Sequence, residues 1–81
     1  MMGKQRVKFT FMSELVKEPI IYQLGRDFGV VTNIRRADVR EDMGWVVLEL
    51  DGEDSEIERG LDWVSAIGVR VDLVSGDVVE G

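Results

Sequence analysis

The chain carries neither histidine nor cysteine in its 81 residues, so its reactive side chains are carboxylates, guanidiniums, ammoniums and amides. That inventory excludes disulfides, thiolate nucleophiles, iron–sulfur ligation, most zinc sites and any His-based triad. It also leaves no side chain with an unperturbed pKa near neutrality. The acidic run Glu53-Asp54-Ser55-Glu56 offers the oxygens that calcium or magnesium prefers. Its spacing fits no EF-hand loop, and acids at a helix start already have a role, opposite the positive end of the helix dipole. Sixteen acids in a short chain also supply carboxylate pairs by chance, so no acid–base dyad stands out. No catalytic residue, metal site or cofactor is expected, and the chain reads as a non-enzyme.

The elements that must position any site follow from periodicity. Val7, Phe9 and Phe11 alternate with polar residues from Arg6 onward, the mark of a half-buried strand. Pro19 suits a first helical turn, and Ile20, Ile21, Leu24 and Phe28 then recur on one helical face, with Gly29 as the expected cap. A second strand spans 30–39, and the polar segment 40–44 reads as a hairpin connection. Residues 45–50 form the strongest strand, with Val46, Leu48 and Leu50 on one face and Trp45, Val47 and Glu49 on the other. The acids of 51–56 open a second helix whose buried stripe is Ile57, Leu61, Val64 and Ile67, and Gly68 ends it. A last strand covers 69–74, with Val69, Val71 and Leu73 alternating with Arg70 and Asp72.

The order is βαββαβ. Right-handed crossovers put both helices on one side of the sheet, which predicts an α+β, ferredoxin-like fold with a four-stranded antiparallel sheet. One domain spans residues 1–81, with a core of about 6–74 and a loose tail at 75–81. Residues 1–40 hold eight bases and four acids, whereas 41–81 hold two bases and twelve acids, for a net charge of −6. No linker-like stretch separates the halves, so the asymmetry reads as acids gathered on a helix start and on solvent-facing strand positions. The longest apolar run, Trp45 to Leu48, is far short of the roughly 20 residues of a membrane span, and no secretory signal opens the chain. A cytoplasmic protein without membrane insertion is expected.

Several short signals, in this order and spacing, resemble the NIL domain, a regulatory module of methionine ABC-importer ATPase subunits that also extends some ferredoxin proteins. They are Arg6-Val7-Lys8-Phe9-Thr10-Phe11, Glu18-Pro19-Ile20-Ile21, Phe28-Gly29-Val30, Asn33-Ile34, Gly44 through Leu50, and Gly68-Val69-Arg70-Val71. The resemblance covers roughly 6–74 and implies the same βαββαβ fold. The family is named for an Asn-Ile-Leu tripeptide, which here is Asn33-Ile34-Arg35. By resemblance, these three residues mark the place where an amino acid such as methionine, or a related sulfur metabolite, binds between two regulatory domains. An amide suits that task because it donates and accepts at once. Arg35, standing where the family has leucine, adds a guanidinium able to grip an anion. The bland alternative for Asn33 is an edge-strand residue that fixes a turn or bulge.

The resemblance implies a non-catalytic sensor, without a Walker A loop of its own, whose transporter or enzyme partner is a separate polypeptide. A homodimer is expected, with Trp45 and Val47 of the open sheet face at its interface. One alternative is a docking domain for a ferredoxin-linked or sulfur-metabolism enzyme, without a ligand of its own; another is an ACT-like amino-acid sensor. The stripe Lys4, Arg6, Lys8 and the RRM-like topology raise nucleic-acid binding. Val47 stands where a second stacking aromatic belongs, and a pI near 4.5 repels phosphate, so no nucleic acid is expected. The stripe instead predicts cross-strand pairs with acids such as Glu49 and Asp72.

Overall fold

Side-chain alternation divides the sheet into one apolar and one polar face, and the apolar face decides where the helices go. The computed structural model describes residues 2–74. In order they form β1 (Met2–Met12), a 3-10 turn (Ser13–Lys17), α1 (Ile20–Asp27), β2 (Val30–Val39), β3 (Met43–Glu53), α2 (Asp54–Ala66) and β4 (Arg70–Val74). The strands lie in the order β2-β3-β1-β4, every neighbouring pair antiparallel. Opposite residues share a face, so Val7 beside Leu48 and Phe9 beside Val46 build one apolar surface. Ile20 and Leu24 of α1 and Ile57 and Val64 of α2 close onto it. Both helices thus lie on one side, as the ferredoxin-like reading requires.

Among the described residues no polar or charged side chain is buried, so the interior is held by apolar packing alone. Burial of a side chain such as Leu48, with no accessible surface, contributes about 1.5–3 kcal/mol. The helices approach each other over Gly60, where a Cβ would lie 2.6 Å from Leu24 Cδ1. Phe28 and Trp63 pack beside this contact with ring centroids 5.8 Å apart.

Several boundaries differ from the sequence expectation. The strand β1 starts at Met2 and β3 runs on to Glu53, because Met2 through Lys4 pair with Asp51 through Glu53. The acids Asp51 and Glu53 therefore end a strand, and α2 begins at Asp54. Gly29 is not a left-handed cap. Among the described glycines only Gly68, at φ 104°, takes that conformation. The carbonyl of Gly29 instead crowds Gly52, where a Cβ would sit 2.5 Å from it. Ile67 falls outside the buried stripe because α2 ends at Ala66, and buried Gly60 takes a place in the helix interface. Leu73 faces the helical side opposite Val7, yet is 68% exposed. The expected tail at 75–81 lies outside the described residues.

Candidate ligand site

Among the described residues the strand β2 pairs only with β3, and its other edge has no strand beside it. It is also the most exposed strand. Val31, Ile34 and Val39 are 70%, 55% and 59% accessible, which puts apolar surface on both faces of an unpaired edge. Asn33 lies opposite Glu49 on the face away from the helices, and Ile34 lies opposite Leu48 on the helical face. Arg35 has no register partner: a bulge follows Ile34, and Arg36 takes the position opposite Val47. The tripeptide is therefore continuous in sequence but divided in space. Its residues are all exposed.

The open face behind Asn33 is a charged lattice around a small apolar centre. Arg6 donates from Nη2 to Glu49 Oε2 at 3.2 Å, the cross-strand pair expected of the basic stripe. Lys8 instead places its ammonium 5.2 Å from the Trp45 ring, and Asp72 accepts from Arg70 of its own strand at 3.1 Å. Val47 belongs to this face but is only 1% exposed within the chain itself, whereas Trp45 is half-buried. The long side chains around Val47 thus shield it from solvent.

A cavity of about 210 Å³ opens on the opposite, helical face, between the start of α1 and the far end of β2. Phe11, Ile20 and Val46 belong to its buried lining, Val39 and Tyr22 are exposed members, and Glu18 brings a carboxylate. Pro19 matters here because it caps α1 without a side-chain hydrogen bond. The first turn of a helix leaves amide N–H groups without helical partners: Ile20 donates to the Glu18 carbonyl at 2.8 Å and Gln23 makes the first helical bond, to the Pro19 carbonyl at 3.0 Å, which leaves the Ile21 and Tyr22 amides between them. An apolar chamber, a carboxylate and free helix-start amides together suit a small zwitterion with an apolar side chain. None of this set was picked out as a site from the sequence. The Glu18-Pro19-Ile20-Ile21 segment was the available signal, but alone it says only that a helix begins.

Asn33 is six residues from Val39, or about 20 Å along the strand, and faces the other side. A single chain cannot bring both to one small molecule. The acidic run also resolves into structural parts: Glu56 accepts from the Gly29 amide at 3.2 Å and from Arg59 Nη1 at 2.6 Å. Among the described residues no group of three or more acids is arranged to hold a metal ion, and no helix is long and apolar enough to cross a membrane.

Comparison with known proteins adds three findings. The family model described as the NIL domain matches residues 5–73. Over 69 residues the chain is 32% identical to the methionine import ATP-binding protein MetN of Helicobacter pylori strain J99 and 30% identical to that of Helicobacter acinonychis strain Sheeba. In each case the match covers 80% of this chain and 21% of the relative, so the chain spans about a fifth of those proteins. The fold is similar to the C-terminal domain of an ABC transporter ATP-binding protein from Enterococcus faecalis. That likeness has a TM-score of 0.76 at 16% identity, covering 90% of this chain and 86% of the other.

Proposed function

The chain belongs to the NIL domain family, and from that premise we propose that it is a non-catalytic regulatory module that senses a small amino acid such as methionine, or a related sulfur metabolite. The observation that carries the reading is the apolar cavity at the start of α1, with Glu18 beside uncapped helix amides. The cavity takes the ligand's apolar side chain, Glu18 meets its ammonium, and the first-turn amides meet its carboxylate. Asn33 contributes from a second copy of the chain, across a seam along the exposed β2 edge. The MetN relatives, named as methionine import ATP-binding proteins, support methionine as the first ligand to try.

Regulation then follows from linkage. A ligand bound between two copies favours the paired arrangement only as far as it binds that arrangement more tightly than the separated one. The partner that reads this change is a transporter subunit or an enzyme, on the cytoplasmic side. Isothermal titration with L-methionine, combined with sedimentation, tests the proposal. Saturable heat is expected from the wild type, with weaker binding in both Asn33→Ala and the cavity-filling Val39→Trp, and a shift toward dimer on adding ligand. No heat from the wild type at millimolar methionine or other small amino acids would overturn the sensor reading and favour a ligand-free docking domain.

A further inference from the structure

A second groove, of about 400 Å³, runs between α2 and the paired ends of β1 and β4, away from the cavity and from Asn33. One stripe of α2 forms its wall: Asp54, Ile57, Glu58, Leu61 and Asp62 follow the helical repeat i, i+3, i+4, i+7, i+8. Leu73 of β4 faces them across the gap and leaves 68% of its surface uncovered. The groove thus has an apolar floor and a row of carboxylates along one side.

Helix stability does not explain that row. Asp54, in the first turn, complements the dipole, but Asp62 lies in the third turn, beyond the reach of the positive end. Acids four residues apart on a helix repel, and this happens twice, between Asp54 and Glu58 and between Glu58 and Asp62. The single base of α2, Arg59, is engaged with Glu56 and stands 5.5 Å from the Phe28 ring. Among the described residues none of the three acids has an ion-pair partner, and the one cation lining the groove is Lys4.

We propose that this groove docks a basic amphipathic helix of a partner protein, with apolar anchors at i, i+3 or i+4 and i+7 seated on Leu61 and Leu73 and with lysines or arginines facing Asp54, Glu58 and Asp62. Charge complementarity selects this occupant: an acidic or neutral apolar helix would cover the floor but leave the carboxylate row opposed or unanswered. The site is independent of the amino-acid cavity, so either can fail alone.

Fluorescence anisotropy with two labelled 18-residue probes tests it, one a leucine/lysine amphipathic helix and the other a leucine/glutamate helix of the same spacing. The leucine/lysine probe is expected to bind and the leucine/glutamate probe not to. Glu58→Lys with Asp62→Lys, or Leu73→Asp alone, should each weaken binding at least tenfold; all three positions are exposed, and circular dichroism verifies the fold. Glu41→Lys with Asp42→Lys, the same charge change in the β2–β3 connection, should leave binding within about twofold. No binding of the leucine/lysine probe, equal binding of both probes, or equal losses from the groove and control variants would overturn the proposal.

Discussion

Glu56 shows how a single surface carboxylate can tie two elements together. Its carboxylate joins the start of α2 to the turn before β2, through the Gly29 amide, and holds Arg59 as well. The hydrogen bond from Gly29, and after it the one from Arg59, pushes its pKa below the usual glutamate range. A carboxyl depressed in the folded state stabilises the protein above its unfolded pKa, and that contribution is lost as the pH falls through the folded value. Glu56→Gln should therefore lower the urea midpoint at pH 7, with the gap to wild type closing on acidification through and below the normal carboxylate range. A gap that stays constant with pH would mean that the charge is not what matters. In the sequence Glu56 was one of several acids near a helix start, and nothing local distinguished it, because its partner lies 27 positions earlier. Leu48 was legible for the opposite reason: apolar residues at 46, 48 and 50, with Glu49 between the last two, place it on one face without knowledge of any partner.

At the scale of elements, local chemistry decided which boundaries were readable. Gly68 behaves as a helix-ending glycine should: it adopts φ 104°, and its amide and that of Val69 bond back to Ser65 and Val64. A residue with a Cβ is strained there by about 1–2 kcal/mol. Gly68→Ala should accordingly lower the melting temperature by roughly 4–16 °C, at about 4–8 °C per kcal/mol for a domain of this size. An unchanged melting temperature would show that the turn relaxes without cost. Gly29 follows a helix too, yet it serves close packing against Gly52, a long-range fact that a helix-end rule cannot detect. The bulge at Arg35 was equally hidden. Inserting one residue moves Arg36 onto the face that Asn33 occupies; the sequence offered a bulge only as the alternative role of Asn33 and did not place it at Arg35.

At the scale of the whole molecule, the topology and the placement of both helices were legible because they rest on the period and order of the elements. The cavity was not, since it arises where the stretch from the end of β1 to the start of α1 meets Val39 of β2 and Val46 of β3, residues distant in sequence, without filling the space between them. The two candidate contacts, Asn33 and the cavity, lie on opposite faces of the sheet, so the proposed ligand could touch both only between two copies. The proposed pairing would use the exposed apolar edge of β2, whose loss of solvent contact would offset the ordering cost. The most direct measurement is a nitrogen-15 NMR titration of the wild-type chain with L-methionine. The expected result is saturable movement of the Ile21, Tyr22 and Val39 amides, accompanied by Asn33. Spectra that stay fixed at millimolar methionine, or shifts confined to residues remote from both the cavity and the β2 edge, would contradict the account.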